Sequence, residues 1–230
     1  MIAHLKLGLV FLKTFKTAST TTELFLEDAF WRFGSRATEQ ARWRIYFNGF
    51  VTPREKHGPP NLFQISKMRI SPYFSSNVEK HLHRLRAHSC QADISNVLGR
   101  ENYDSFIKIA GVRNPFDLLV SAYYWIHRGN DLPPFSDWLT GHLAASNPWN
   151  KDLRPSKLVN SRILRFERLH EDLAKLCDEF ELAHTRELPR AKTNTRSEET
   201  HYRHFFSSRD RKAVENSFYR EWLEQFDYSF

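Results

Sequence analysis

Leu7-Gly8-Leu9-Val10-Phe11-Leu12-Lys13-Thr14-Phe15-Lys16-Thr17-Ala18-Ser19-Thr20-Thr21 runs from an apolar segment into a cluster of small hydroxyl residues. Leu7, Leu9, Val10, Phe11 and Leu12 suit a strand buried in a parallel sheet, and the run is far too short to cross a membrane. Beyond it, Glu23, Leu24, Phe25, Leu26, Ala29, Phe30 and Phe33 recur at helical spacing, which predicts a helix opening near Thr20. A helix start presents unpaired backbone N–H groups and the positive end of its dipole, so an anion docks there. Lys16 adds a full positive charge, and Thr17, Ala18, Ser19, Thr20 and Thr21 add backbone and hydroxyl donors. The loop contains no glycine and lacks the GxxxxGK[ST] pattern of the common nucleotide-binding loop. Taken alone, it reads equally well as a capped helix beside a solvated lysine.

A second junction of the same kind lies about one hundred residues on. Phe106, Ile107, Ile109, Ala110 and Val112 form another candidate buried strand, followed by Arg113-Asn114-Pro115-Phe116-Asp117. Asn114 as cap with proline in the first turn is a strong helix opening, and Leu119, Val120, Tyr123, Tyr124 and Ile126 supply the apolar stripe. Ser121 stands two turns in, ~9 Å along the axis from the first turn. An arginine at a strand end grips a phosphate through parallel hydrogen bonds, and the serine adds a third. The plainer reading pairs Arg113 with Asp117 and leaves Ser121 as packing. Two such junctions in one chain imply a ligand charged at both ends.

The remaining pattern alternates. Trp43 to Val51 and Leu62 to Ile65 read as strands around a turn at Pro53 to Pro60, and Asn77 to Leu85 and Ala92 to Leu98 read as helices. A helix from Phe135 to Leu143 is bracketed by loops at Pro133-Pro134 and Asn147 to Pro155. Arg162 to Phe166 reads as a strand, and Leu169, Leu173, Leu176 and Phe180 mark the buried face of the next helix. Ala183 to Thr200 reads as a polar connection. One helix is expected around Arg209 to Phe226, with Val214, Phe218, Trp222 and Phe226 as core. Alternation of strands and helices implies an α/β fold with a mostly parallel sheet, helices on both faces, and ligands beyond the carboxyl ends of the strands.

The chain has 230 residues, 40% of them hydrophobic, enough to bury one large core, so a single domain over 1–230 is expected. Against 27 Asp and Glu stand 34 Lys and Arg, a net charge of +7 that favours anionic partners. Cys90 and Cys177 are too few for a disulfide framework and have no metal-ligand spacing, which suits reduced thiols in a cytoplasm. Lys13 and Lys16 interrupt the N-terminal apolar run and no small-residue cleavage site follows, so a first core strand is expected there rather than a signal peptide. Peripheral membrane contact and oligomeric state are left open.

The segments KTFKTASTT and VRNPFDLLVSAYYW resemble the two cofactor elements of sulfotransferases that use 3′-phosphoadenosine 5′-phosphosulfate (PAPS). The first resembles a KTAGT-type loop for the 5′-phosphosulfate and is locally similar to the KTHKTASST of galactose 3-O-sulfotransferases. The second resembles the VRNPxDRLVSxYxW element for the 3′-phosphate. The likeness continues through Ala87-His88-Ser89-Cys90-Gln91-Ala92-Asp93-Ile94, Arg165-Phe166-Glu167-Arg168-Leu169 and Phe226-Asp227-Tyr228-Ser229-Phe230, while the stretch from Arg36 to Lys80 carries nothing diagnostic. Ser19, Phe15 and Leu118 depart from the usual glycine, proline or histidine, and arginine.

This resemblance implies a P-loop-NTPase-like three-layer fold and sulfuryl transfer from PAPS to an acceptor hydroxyl, with a carbohydrate or glycolipid as acceptor. It assigns Lys16 to charge that builds on the leaving phosphate, Thr17 to Thr21 to the phosphosulfate, and Arg113 with Ser121 to the 3′-phosphate; no metal enters the scheme. His88 matches a histidine of similar enzymes and is the candidate base, with His57, His81, His83, Glu23 and Glu55 as competitors. Trp31, Trp43, Trp125, Trp138 and Trp149 could face a sugar ring or belong to the core, with Trp149 the best exposed candidate. Two other classes share some of these features. A small-molecule kinase would carry the glycine-rich loop and a magnesium-binding acid at a strand end, and neither is evident. A noncatalytic nucleic-acid-binding protein would explain the charge but not two anion grips at successive strand ends.

Overall fold

The computed structural model describes residues 2–5, 7–35, 75–82, 90–127, 131–145, 158, 161–184, 187–189 and 201–230. The strands expected at 43–51 and 62–65, the turn between them, the loop at 147–155 and most of the 183–200 connection lie outside these residues.

The described residues form an α/β fold around a four-stranded sheet in the order β1 (Ile2–His4), β2 (Leu9–Leu12), β3 (Ile107–Val112) and β4 (Ser161–Arg165). β1 runs antiparallel to β2 with Ala3 opposite Val10, whereas β2, β3 and β4 are mutually parallel, with Phe11 opposite Ile109 and Ala110 opposite Ile163. The short first strand was not expected from sequence. It returns into β2 through a turn closed by Gly8 N–H to the Leu5 carbonyl at 3.3 Å, and Gly8 has φ 63°, which costs a glycine nothing.

Side-chain alternation sends each strand to two separate cores. Val10, Leu12, Ala110 and Val112 face one cluster, while Leu9, Phe11 and Ile109 face the other. The second cluster is completed by Phe25, Leu26, Ala29 and Phe30 from α1 (Ser19–Ser35) together with Leu169, Leu173, Leu176 and Cys177 on a later helix. On the opposite face lie α2 (Val78–Leu82), α3 (Gln91–Leu98), α4 (Arg100–Ser105), α5 (Pro115–Ile126) and α6 (Phe135–Ala144). That later helix is α7 (Leu169–Glu179), and α8 (Ser208–Glu215) and α9 (Arg220–Gln225) close the chain on the α5 side. Each fully buried Phe or Leu stabilises by about 1.5–3 kcal/mol relative to exposure, so layers on both faces hold the sheet.

The two decisive junctions fold as their sequences dictate. α1 opens at Ser19, and α5 opens with the Asn114 side chain accepting from Phe116 N at 3.0 Å and Pro115 in the first turn. The single helix expected around 209–226 is instead two. Ser217 Oγ donates to the Val214 carbonyl at 2.7 Å and accepts from Tyr219 N at 3.2 Å, replacing helical bonds across the break. Val214, Trp222 and Phe226 are nevertheless buried, with Phe218 packed beside them. The helix α4 is an addition to the expected order, separated from α3 by Gly99 at φ 81°. No helix among the described residues is long and apolar enough to cross a membrane.

Candidate anion-binding site at adjacent strand ends

Because β2 and β3 are parallel neighbours, the segments that follow them leave the sheet side by side. Thr14, two residues past β2, donates its hydroxyl to the Gly111 carbonyl at 2.8 Å and is hydrogen-bonded to the hydroxyl of Thr17. A Cβ on Gly111 would lie 2.8 Å from Thr17 Oγ1 and 3.1 Å from Thr14 Oγ1, so only glycine lets the first loop settle on the second strand. A glycine inside a buried strand is a signal of close backbone approach, but Gly111 was not singled out from the sequence.

Lys16 and Ala18 hold φ of 59° and 53°, left-handed values that non-glycine residues adopt only when their surroundings impose them. Arg113 is part of that surrounding. Its Nη1 donates to the Lys16 carbonyl at 3.0 Å, its Nε and Nη2 donate to Asp117 Oδ2 at 2.8 and 2.6 Å, and its guanidinium lies 3.8 Å from the centroid of the Phe166 ring. The Arg113–Asp117 pair of the plainer sequence reading is thus present, and Arg113 also joins the two loops. Lys16 Nζ stands 4.7 Å from the centroid of the Trp125 ring.

The other expected anion-binding residues cluster at the opening of α1. Thr17 is buried with its hydroxyl turned to Thr14, Ser19 is buried in the first turn, and Thr20 and Thr21 are half-buried there. The Ala18 carbonyl accepts from Thr22 N at 3.0 Å and from Thr22 Oγ1 at 3.3 Å, and no acidic residue occupies the first turn of α1. Ser121 is half-buried on α5, between Asp117 and Trp125 at four-residue spacing, hence on the same helix face.

Among the candidate bases, Glu23 is committed to Lys13. The two are 1% and 9% exposed and form a buried ion pair between the end of β2 and α1. His81 lies on α2, packed against α3. His88, His57, His83 and Glu55 lie outside the described residues, as do Trp43 and Trp149.

Several residues make contacts that the sequence did not assign. Glu167, just past β4, accepts from the Asn114 backbone N–H at 2.8 Å and from the Tyr228 hydroxyl at 2.8 Å. Asn114 Nδ2 donates to the Ser229 carbonyl at 2.8 Å, and Arg165 Nη1 donates to the Phe226 carbonyl at 2.8 Å. The 226–230 segment therefore lies across the exits of β3 and β4. Burial and the nearby Glu167 carboxylate push the Tyr228 phenol above its ordinary range, so it stays a donor. These partners are 53 to 115 residues apart in sequence, a separation that no local pattern reveals.

No family model, curated protein or solved structure matches the chain. Among the described residues, no group of three or more His, Cys, Asp and Glu side chains is arranged to hold a metal ion. What the site offers chemically is two cationic side chains and a helix start, gathered beyond the carboxyl ends of the two inner strands.

Proposed function

We propose that the protein is a PAPS-dependent sulfotransferase of P-loop-NTPase-like architecture, transferring a sulfuryl group to a hydroxyl of a carbohydrate-type acceptor. The observation that carries the reading is the 3.0 Å hydrogen bond from Arg113 to the Lys16 carbonyl. It puts the two anion-binding signatures within one side chain's reach of each other, a span that a single nucleotide bearing charge at both ends can bridge.

In this reading the phosphosulfate lies at the start of α1, where the backbone of 17–21 and the Lys16 ammonium face it. The acceptor oxygen attacks sulfur as the bond from sulfur to the bridging phosphate oxygen breaks, and adenosine 3′,5′-bisphosphate leaves. Lys16 compensates the charge that grows on the departing oxygen, and a positioned cation of this kind is a principal source of rate enhancement. Arg113 and Ser121 hold the 3′-phosphate. The acceptor proton passes to a base, assigned to His88 on the motif.

A thermal-shift comparison of adenosine 3′,5′-bisphosphate, ATP with magnesium, and a single-stranded oligonucleotide tests the assignment. Ligand that binds only the folded state raises the melting temperature by mass action. Stabilisation is expected to be largest with the bisphosphate. A larger shift with magnesium ATP would replace the transferase by a kinase, and a larger shift with the oligonucleotide would replace it by a nucleic-acid-binding protein.

A further inference from the structure

Two consecutive residues just past β4 serve the second loop. The Phe166 ring centroid lies 3.8 Å from the centre of the Arg113 guanidinium, and Glu167 Oε1 accepts the Asn114 backbone N–H at 2.8 Å. Asn114 is also held through its side chain, whose oxygen accepts from Phe116 N at 3.0 Å and whose nitrogen donates to the Ser229 carbonyl at 2.8 Å. On the other side of Arg113, Val112 is still in the ladder, opposite Arg165. Arg113 therefore leaves the chain between two anchored neighbours.

We propose that Glu167 is a positioning residue for Arg113: by accepting the Asn114 N–H it fixes the backbone from which the arginine reaches an anion. The inference deepens the sulfotransferase reading and rests on its assignment of Arg113 to the 3′-phosphate.

The support is geometric and electrostatic. Asn114 lies past the end of β3, so its N–H has no ladder partner, and at 9% exposure the residue needs an acceptor within the protein. A carboxylate makes a stronger bond to a backbone N–H than a neutral acceptor does. Glu167 is exposed, yet its carboxylate is held at both oxygens, since Oε2 accepts from the Tyr228 hydroxyl at 2.8 Å. A small rotation of the backbone at Arg113 is magnified along so long a side chain, and a guanidinium grips an oxyanion only when its planar fork is aligned. The negative charge of Glu167 in itself repels an anion, so its contribution to binding comes from its role as acceptor. An amide oxygen at the same place keeps that role, while the amide nitrogen donates to the Tyr228 oxygen.

Isothermal titration of the full chain with adenosine 3′,5′-bisphosphate and with adenosine 5′-monophosphate tests this, because the ratio of the two dissociation constants isolates the 3′-phosphate. In the wild type the bisphosphate is expected to bind roughly tenfold more tightly or better, the scale of a hydrogen bond to a charged group. Glu167→Gln should keep that ratio and Glu167→Ala should lose most of it. If Glu167→Ala does not fold, Glu167→Asp, one methylene too short, takes its place with the same expectation. A ratio that survives removal of the acceptor, or one lost equally in Glu167→Gln, overturns the proposal. Proton exchange at Arg113 Nε–H, which donates to Asp117 Oδ2 at 2.8 Å, gives a readout without nucleotide. Its nitrogen-15 resonance, assigned by its loss in Arg113→Lys, should exchange slowly in the wild type and Glu167→Gln and faster in Glu167→Ala; equal rates overturn the proposal. If the wild type does not prefer the bisphosphate, the nucleotide reading falls, and the exchange rates alone decide whether Glu167 positions Arg113.

Discussion

Arg113 Nη1 donates to the carbonyl oxygen of Lys16 at 3.0 Å, joining two loops that are 97 residues apart in sequence. The same guanidinium is paired with Asp117, and their side chains are only 11% and 17% exposed. One arginine therefore organises both candidate anion grips, and the following substitutions probe that organisation.

Arg113→Ala leaves the Asp117 carboxylate partly buried without its guanidinium and should destabilise the protein by roughly 2 kcal/mol. Removing both members of the pair in Arg113→Ala/Asp117→Ala should recover much of the loss, because the half of the ion pair left behind by the single substitution is gone as well. Urea denaturation of the two single variants and the double variant gives the coupling. Stabilisation by adenosine 3′,5′-bisphosphate should be reduced in both arginine variants, including the one whose fold has been repaired.

Gly111→Ala places a methyl group 2.8 Å from the Thr17 hydroxyl oxygen, too close for the loop to keep its present seat. Overpacking of this kind costs about 1–3 kcal/mol. The melting temperature should fall, and the bisphosphate-induced shift should shrink even when compared at equal distance from the variant's own melting point. An unchanged shift would separate the Thr14–Thr17 contact from ligand binding.

Glu23→Ala breaks the ion pair with Lys13 in a site where the two side chains are 2% and 7% exposed. Breaking a buried ion pair by removing one member costs on the order of 3–5 kcal/mol, and Lys13→Met/Glu23→Leu should restore most of it. Chemical denaturation of the single and double variants decides the point.

These substitutions fall partly on residues that sequence revealed and partly on residues it did not. The openings of α1 and α5 were readable because a cap, a first-turn proline and an apolar stripe are all local. Gly111 was passed over, although a glycine inside a buried strand hints at close backbone approach. Lys13 looked like an interruption of an apolar run, since its partner is defined only once β2 and α1 fold against each other. Glu167 and Ser229 meet Asn114, and Tyr228 meets Glu167, through tertiary packing alone. The break between α8 and α9 was hidden for another reason: the four-residue repeat of Val214, Phe218, Trp222 and Phe226 keeps its phase across Ser217.

Asp210 predicts a specific acid dependence. Burial raises its carboxyl pKa, but hydrogen bonds from Ser207 and Ser136 outweigh that and leave it below the ordinary carboxylate value. A depressed folded-state value stabilises the protein above the unfolded pKa, about 3.9, and that contribution is lost as pH falls through the lower folded value. Asp210→Asn should cost about 1 kcal/mol at neutral pH by weakening the cap of α8 and should flatten this part of the acid-unfolding curve. Wild type and variant differing equally at all acid pH values would contradict the assignment.

The cysteines should differ in reactivity. Cys177 is fully buried, and burial with the neighbouring Asp178 pushes its thiol up to about 12, so its nucleophilic form is scarce at neutral pH. Cys90 is half-exposed at the start of α3, its Sγ 3.1 Å from Asp93 Oδ2. Titration of the native protein with an aromatic disulfide reagent should modify Cys90 first and Cys177 only on unfolding.

The central claim is that the loops after β2 and β3 hold one nucleotide between them. Isothermal titration of adenosine 3′,5′-bisphosphate into wild type, Lys16→Ala and Arg113→Ala tests it most directly. One bound nucleotide per chain is expected in the wild type, with binding weakened by each substitution separately. Absence of binding to the wild type, or an affinity that neither substitution changes, would contradict it.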